Sequence, residues 1–447
     1  MSQSGDNRVV VAGNGPAGLV CALALAWEGA AVTLVGTAAP DLRGRTTALF
    51  DGSVRLLSEL GIWDELARKA APLRRLRVID DTGNLFRWPE LSFDAREIGL
   101  EAFGWNVEAS ILAGVLRQAC RRTDGIDIVE GLASAPFFGD AAGPHGAMRS
   151  GPRSARASRQ DRPRPAAESG GPGLASVAVG DDRLEASLIV AADGQRSQLR
   201  RAAGIAARLE RLPQSALVAI LLHELPHDGC STELHLRGGP CTLVPLRWTV
   251  AETEEARPAS TAFAHASSLV WMTGRAAAER LAGLDDEALA LAVERRVHSI
   301  LGKMRVAGPC GTVPLSALHA QRIVAPRLAL VGEAAHAFPP IGAQGLNLGL
   351  RDASALAARV GEGLRQGLDI GGPAVLDLYE RDRRADIATR STAVAMLNRS
   401  LLSSFLPFDV ARGLGMAALD LVPALRRLVM REGVEPGSGQ NGRWSEA

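Results

Sequence analysis

Three short stretches of the chain carry residue types whose spacing could do chemistry. The first is Gly13-Asn14-Gly15-Pro16-Ala17-Gly18. It follows the β-branched run Val9–Ala12 and opens the apolar segment Leu19–Trp27, so it sits between a strand and a helix. Gly13 permits the tight turn, Gly15 lets a pyrophosphate approach the backbone, and Gly18 allows close helix–strand packing. Free N–H groups and a partial positive charge at the helix start suit an anion. The second stretch is Val190–Arg200, an apolar strand that delivers the turn Asp193-Gly194 and then a basic helix start. An ordinary strand-to-helix turn would read the same way. The third runs from Leu330 to Gly349. A strand ends in Gly332-Glu333, small residues and the pair Pro339-Pro340 follow, and a helix begins around Gly345-Leu346-Asn347. Small residues let backbone approach a flat ligand, and the first amides of the helix present donors to negative charge.

The elements that position these stretches follow from the apolar periodicity. Val9–Ala12, the helix Leu19–Trp27 ended by Gly29, and the strand Ala31–Val35 form a β-α-β unit. One expected part is missing: that second strand normally ends in an acid that binds a ribose hydroxyl. Here it runs into Gly36, and the next acid is Asp41. A helix is expected over Phe50–Ala70, a hairpin from Leu76–Asp80 and Leu85–Trp88 around the turn Asp81–Asn84, a helix over Ser110–Arg121 and a strand at Ile126–Val129. Strand pattern resumes at Ala175–Val179 and Leu184–Ala192. Alternation from Ala216 to Trp271, with turns at Arg237–Pro240 and Ala251–Ser260, reads as a mostly antiparallel sheet. Asp285–Leu301 reads as a helix, Arg327–Val331 as a strand, Leu346–Val360 as a helix, and the chain from Val375 as helical, with a polar tail after Gly433.

Gly139–Gly173 differs from its surroundings. Its 35 residues hold seven Gly, five Pro and six Arg, and no Leu, Ile, Val, Phe, Tyr or Trp. Such a segment cannot offset the entropy of ordering and is expected to be a disordered insertion between two strands.

Composition narrows the function classes. The 447 residues are 47% hydrophobic and 22% charged, with 50 basic against 49 acidic residues and a net charge of +1. That balance argues against a nucleic-acid binder. Five scattered cysteines without a CxxC pair argue against a disulfide framework or a structural zinc, so a reducing compartment is expected and no metal is needed. The start MSQSGDNR has no apolar signal region, and no apolar stretch reaches the length of a bilayer span.

In order and spacing, the three stretches resemble the class A flavoprotein monooxygenases, the family of p-hydroxybenzoate hydroxylase. The resemblance covers most of residues 8–430. It is closer still to the ubiquinone-biosynthesis hydroxylases, through Arg45-Thr46-Thr47-Ala48-Leu49 with Leu60-Gly61-Ile62-Trp63, Val244-Pro245-Leu246, Ser268-Leu269-Val270-Trp271 and Gly332–Asp352. It implies an α/β fold: a Rossmann-like FAD-binding domain, an antiparallel-sheet substrate domain and a helical C-terminal part. The implied boundaries put the FAD domain in residues 1–72, 106–205 and 319–360, the substrate domain in 73–105 and 206–318, and the helical region in 361–447.

The resemblance also implies roles. Gly13, Gly15, Ala17 and Gly18 would hold the FAD pyrophosphate, and Arg45 would lie near the adenosine side. Asp193 and Gly194 would lie near the phosphate–ribityl region and help NAD(P)H bind. Gly332 and Glu333 would contact the ribityl chain, Glu333 standing where the family usually has Asp. Pro340 would present its carbonyl beside flavin and substrate. The amides of Gly345, Leu346 and Asn347 would face the flavin N1–C2=O edge, making Pro340 and Gly345 the catalytic pair. The implied reaction uses NAD(P)H and O2 to hydroxylate an aromatic ring, that of a lipophilic polyprenylated phenol in ubiquinone synthesis. The expected location is the cytoplasm, with peripheral contact to the inner face of the membrane, or association with other quinone-biosynthesis enzymes, as further expectations.

Two rival readings stay open: hydroxylation of a soluble aromatic compound, and a non-catalytic flavin-binding subunit of a biosynthetic assembly. For the first, a soluble acid needs a convergent Arg or Tyr between Ala216 and Trp271, whereas a prenyl tail needs an apolar channel. Three residues also have plain structural readings: His336 as a packed loop histidine, Cys21 as core, and Trp271 as core rather than pocket lining.

Overall fold

A computed structural model describes residues 7–37, 44–83, 90–138, 173–248, 263–340, 344–402 and 406–434, without the side chains of 393–402 and 406–413. The readings placed on Asp41, Leu85–Trp88, the Ala251–Ser260 turn, the 139–172 insertion and the polar tail lie outside these residues.

The β-branched and apolar runs that lack alternation become mostly parallel strands, the central ones buried on both faces and the edge strand Ile126–Glu130 exposed. They assemble a six-stranded sheet in the order Val324–Ala325, Leu328–Leu330, Leu188–Ala191, Arg8–Ala12, Ala31–Gly36, Ile126–Glu130. All its pairs are parallel except the outermost, Val324–Ala325 with Leu328–Leu330. The helix Pro16–Trp27 packs on this sheet with Leu19 through Leu25 buried. The helix Gln344–Gln366 shares the same core through Leu348, Leu350, Leu356 and Val360.

A second sheet has eight strands. Its order is His336–Ala337, Met304–Ala320, Ala207–His223, His265–Gly274, Cys241–Leu246, Cys230–His235, Arg75–Asp80, Glu90–Asp94. It is antiparallel apart from the pair Cys230–His235 with Arg75–Asp80. One face packs on the helix Asp286–Arg296 through Leu217, Leu221, Leu269 and Val293. The other face meets the strands Thr46–Phe50 and Gly104–Glu108 through Thr46 with Ser268 and Asn106 with Pro245, and forms a wall of the site described below.

Several elements differ from the sequence reading. Phe50–Ala70 is not one helix: Thr46–Phe50 is a strand, Asp51–Glu59 a helix, and Trp63–Ala67 a second, shorter helix. Gly61 between the helices adopts φ +70°, which a helix cannot continue through. Leu184–Ala192 splits into Asp182–Ala186 and Leu188–Ala191, which belong to different sheets. Arg75–Asp80 takes Glu90–Asp94 as its hairpin partner. The 17-residue strand Met304–Ala320 was not read because the Gly, Pro and Ser of Ala307–Ser316 break up its alternation, and the helix Arg275–Ala282 was missed although its Ala, Arg, Glu and Leu favour a helix. The insertion joins Ala133–Phe137 to Ala175–Val179, which pair directly. The C-terminal part forms the helices Pro373–Leu402, Leu406–Leu421 and Pro423–Val434.

At one end of the second sheet three imidazoles gather. Ring centroids of His223, His227 and His265 lie 5.9, 6.0 and 6.3 Å apart. His223 is fully buried, with Nδ1 2.8 Å from the Leu225 carbonyl and Nε2 3.0 Å from Ser267 Oγ. Burial first, and then the neighbouring His227 and His265, push His223 down to about 4 from an ordinary 6.5. The folded protein therefore resists a proton that the unfolded chain accepts. Stability is whole above about pH 6.5 and falls as the pH drops toward 4, by on the order of 3 kcal/mol from this group. Denaturant unfolding measured across that window should show the loss, and His223→Gln should flatten it. An unchanged slope in the variant would exclude this histidine as the source.

Candidate active site

The turn after Arg8–Ala12 is built by close backbone approaches. Gly13 has φ +135°, and a Cβ there would sit 2.1 Å from the Ala192 carbonyl oxygen. A Cβ on Gly18 would lie 2.0 Å from the Gly13 oxygen. Gly15 differs: it is the N-cap of the helix, in extended conformation, and a Cβ there meets nothing within 4 Å. No side chain caps this helix start. An open space thus faces amides that lack acceptors within the helix, which is what an anionic pyrophosphate needs.

Gly36, where an acid was expected, has its own reason. A Cβ there would be 2.3 Å from Asn14 Cβ, and Asn14 Nδ2 donates to the Thr37 carbonyl at 2.9 Å. The turn residue thus occupies the place that an acidic side chain at position 36 would need.

The second stretch locks onto the third. Asp193 Oδ2 accepts from the amide of Gln198 at 2.9 Å, while Oδ1 is buried without a partner among the described residues. Gly194 has φ +80°, which favours glycine. Arg200 donates to the Ala334 carbonyl at 2.7 Å and to the Gln195 carbonyl at 2.9 Å. Gln195 Oε1 accepts from Ser316 Oγ at 2.8 Å, and its side chain also hydrogen-bonds Glu333.

Glu333 opens onto a large cavity of about 1940 Å³ lined by the second sheet, the Thr46–Phe50 strand and the helices Gln344–Gln366 and Pro373–Leu402. Arg45, Gln195, Pro340, Gly345 and Leu346 line the same cavity. Protein crowding around Glu333 pushes its carboxyl above the ordinary range, against the Gln195 hydrogen bond and the charges of His336 and Arg45. Because the side chain faces the cavity, water there screens part of this effect. Gly332 has φ +62°, and a Cβ on Gly349 would lie 3.1 Å from Gly332 Cα. The strand end and the helix Gln344–Gln366 are therefore in near-contact, with Ala17 beside them; a Cβ on Gly332 would lie 3.2 Å from Ala17 Cβ.

Asn347 is 3% exposed, and its side chain, to which the sequence reading gave no role, is bound inside the protein. Oδ1 accepts from the Phe50 amide and from Ser53 Oγ, both at 2.8 Å, and Nδ2 donates to the Ala48 carbonyl at 2.8 Å. The helix start is thereby pinned to the Thr46–Phe50 strand. Residues 341–343 of the third stretch lie outside the described residues.

Sequence reasoning missed a buried polar chain behind this helix. His336 Nε2 lies 2.6 Å from Asp352 Oδ2, which also accepts from the Gly332 amide at 3.0 Å. Asp352 Oδ1 accepts from Arg383 Nε at 2.8 Å, Arg383 pairs with Asp386 at 2.8 Å, and Asp386 with Arg390 at 3.1 Å. Arg390 reaches Gln344 Oε1. Burial alone would raise Asp352, but His336 and Arg383 outweigh it and hold the carboxyl below its ordinary value. Removing one partner would leave an unpaired buried charge, typically a cost of about 3–5 kcal/mol. His336 is therefore a structural partner of this chain, and Trp271 is half-buried against the helix-side core of the second sheet. Cys21 is fully buried, and burial pushes its thiol up beyond reach of ionisation.

Comparison with known proteins decides the family. The model of the family described as FAD binding domain matches residues 6–107 and 166–394. The chain belongs to this FAD-binding-domain family. Among curated relatives, it is 32% identical over 429 residues to the ubiquinone hydroxylase UbiL of Rhodospirillum rubrum, covering 95% of this chain and 88% of that protein. It is 27% identical over 436 residues to the 3-demethoxyubiquinol 3-hydroxylase of Escherichia coli, covering 95% and 97%. In fold it is similar to the p-nitrophenol 4-monooxygenase PnpA of Pseudomonas putida, with a TM-score of 0.67 at 17% identity over 95% and 96% of the two chains. FAD is the cofactor of the family, and the uncapped helix start at Gly15 with its open approach fits the pyrophosphate of that group.

Proposed function

We propose that this FAD-dependent monooxygenase hydroxylates the ring of a neutral, polyprenylated phenol in ubiquinone biosynthesis. One observation carries the choice of substrate: the composition of the cavity wall contributed by the second sheet. Between Ala216 and Trp271 the wall is formed by Ala216, Val218, Val244 and Val270 with a few polar groups, and the acid among them is Glu233. Among the described residues of that segment no Arg or Tyr lines the cavity. On these strands an aromatic acid would meet Glu233, and the nearest cation on the sheet, Arg77, belongs to the neighbouring strand and is turned to Thr232 Oγ1, whereas a neutral phenol with an apolar tail would bury its surface at roughly 25 cal/mol per Å².

When bound, FAD would supply the redox chemistry, with NAD(P)H as reductant and O2 as oxidant. The chain supplies the rest. Gly13, Gly15, Ala17 and Gly18 would hold the pyrophosphate at the helix start. Asp193 and Gly194 would support the phosphate–ribityl region, and Gly332 and Glu333 the ribityl chain, with Arg45 tempering the charge of Glu333. The helix-start amides of Gly345, Leu346 and Asn347 would stabilise negative charge where it appears, by preorganised dipoles. Pro340, stiffened by Pro339, would position the ring, and the apolar wall would keep water out.

The helix Pro423–Val434 supports a lipid-facing mouth. Its Val429, Met430 and Val434 line the cavity, while Leu421, Leu425 and Leu428 are exposed nearby. No helix among the described residues is long and apolar enough to cross a membrane, so this contact would be peripheral. The test is quinone profiling of a deletion strain beside the purified protein. The strain should accumulate a quinone precursor lacking one ring hydroxyl. The protein should oxidise NAD(P)H in the presence of that precursor and yield a product one oxygen heavier. A normal quinone profile would remove the reading.

A further inference from the structure

Glu233 stands out on the cavity wall because it is a carboxylate held in one position by its neighbours. Alternation along Cys230–His235 puts Ser231, Glu233 and His235 on one face of the sheet. Glu233 Oε1 lies 2.8 Å from His235 Nε2, and Oε2 lies 3.4 Å from Thr242 Oγ1 on the next strand. Both Glu233 and His235 line the cavity, with side-chain exposures of 20% and 8%. The other imidazole nitrogen of His235, Nδ1, is buried without a partner among the described residues. The hydrogen on a neutral ring therefore belongs on Nε2, donated to the carboxylate. Two donors fix the carboxylate, and its remaining lone pairs are left for a third.

The register places this pair relative to the reacting end of the cavity. Glu233 is paired with Thr242, Thr242 with Val270, and Val270 with Val218. Val270 and Val218 pack in one cluster with Phe338, two residues before Pro340. Two strand spacings separate Glu233 from Val270, about 10 Å. A phenol ring lying between Pro340 and the sheet could direct its hydroxyl along that row to Glu233. Arg77, which also lines the cavity, is engaged with Thr232 Oγ1 at 3.2 Å.

We infer that Glu233, oriented by His235, accepts the hydrogen bond of the substrate's phenolic hydroxyl and makes the enzyme specific for a free, neutral phenol. The inference rests on the proposed function and names the group that selects its substrate. A charged acceptor on the hydroxyl pushes electron density into the ring, toward the carbons ortho and para to oxygen. Those carbons are the ones an electrophilic oxygen attacks. The O–H bond stays intact at this stage, so no separate proton acceptor is required. A methyl ether has no donor to offer, and it leaves those remaining lone pairs without a partner from the substrate. A ring carboxylate brings like charge against Glu233.

The experiment compares 2-prenylphenol with its methyl ether on the FAD-loaded protein. Binding is read from the perturbation of the flavin absorption spectrum, and turnover from product formed per NAD(P)H consumed. The wild-type protein should bind the phenol more tightly than the ether by roughly 10- to 100-fold, the range of a hydrogen bond to a charged group. Glu233→Gln should bring that preference down to a few-fold while flavin content stays normal. His235→Gln, which can still donate to Glu233, should retain most of the preference, and His235→Leu should lose much of it. An undiminished preference in flavin-replete Glu233→Gln would overturn the inference, as would wild-type protein that binds both compounds equally. Failure of the functional reading looks different: the phenol binds with preference, yet neither it nor the native precursor stimulates NAD(P)H oxidation or gains oxygen.

Discussion

Gly15→Val should yield a folded protein that purifies without its yellow colour. Gly15 caps its helix in an extended conformation, φ −83° and ψ 168°, which valine adopts readily. A Cβ there meets no protein atom within 4 Å, so the core has nothing to rearrange. The neighbouring glycines would give a different result. A side chain on Gly13 would need φ +135° and would overlap the Ala192 carbonyl, and one on Gly18 would overlap Gly13 itself. Substitutions at those two positions would damage the fold and say little about the cofactor. At Gly15 the added methyls fill only the approach to the helix amides. If two charge-assisted hydrogen bonds to the pyrophosphate are lost, at about 1.5–3 kcal/mol each, the FAD dissociation constant should rise roughly 100-fold or more. Flavin absorbance, reconstitution with added FAD and circular dichroism together make the measurement. A folded variant with full flavin content would mean that the pyrophosphate lies elsewhere.

That glycine could be found in the sequence because its signal is local. Strand, turn and helix start follow one another within about twenty residues, and each glycine has a backbone reason visible in the spacing. The same holds for Gly332-Glu333 and the helix start at Gly345. What could not be read depends on partners far apart in the chain. Asp352 meets His336 and Arg383 from two different elements. The residue closes the Gly332–Asp352 stretch that carries the resemblance, but nothing in the sequence marks its partners. Gln195, through Glu333, and Arg200, through the Ala334 carbonyl, tie the second stretch to the third across more than a hundred residues. Asn347 was read for its amide, yet its side chain joins the helix to Phe50 and Ser53, nearly three hundred residues earlier. Gly36 is the reverse case. Its lack of an acid looked like a missing contact, and the structure shows Asn14 packed against it. The alternation from Ala216 to Trp271 gave the sheet, but not the facts that its neighbours include Arg75–Asp80 and that Glu233 faces inward. Strand order and facing direction are set by pairing across the sheet rather than by the period within a strand.

Gly345→Pro should leave FAD bound but slow its reduction by roughly a hundredfold, through the loss of about 3 kcal/mol of preorganised stabilisation. Proline is tolerated in the first turn of a helix, where its missing N–H has no partner within the helix. Gly345 lies in the first turn of Gln344–Gln366, and a Cβ there meets nothing within 4 Å, so the ring has room. The change removes one donor from the set that would face the cofactor and restricts Gln344 before it. Gln344 is held by Arg390, the end of the buried chain from Asp352, so the helix start has support that does not depend on residue 345. Asn347 likewise keeps the first turn against the Thr46–Phe50 strand. FAD affinity should therefore change little, since the contacts proposed for its pyrophosphate lie at the other helix start, near Gly15. The lost donor matters when negative charge accumulates on the ring system, so the midpoint potential should fall along with the rate. Stopped-flow reduction by NADPH and a redox titration, each beside a flavin-content assay, make the comparison. An unaltered potential and rate in a flavin-replete variant would show that this helix start does not face the flavin. Gly345, Leu346 and Asn347 would then lose their assigned role, while the pyrophosphate site at Gly15 would stand on its own.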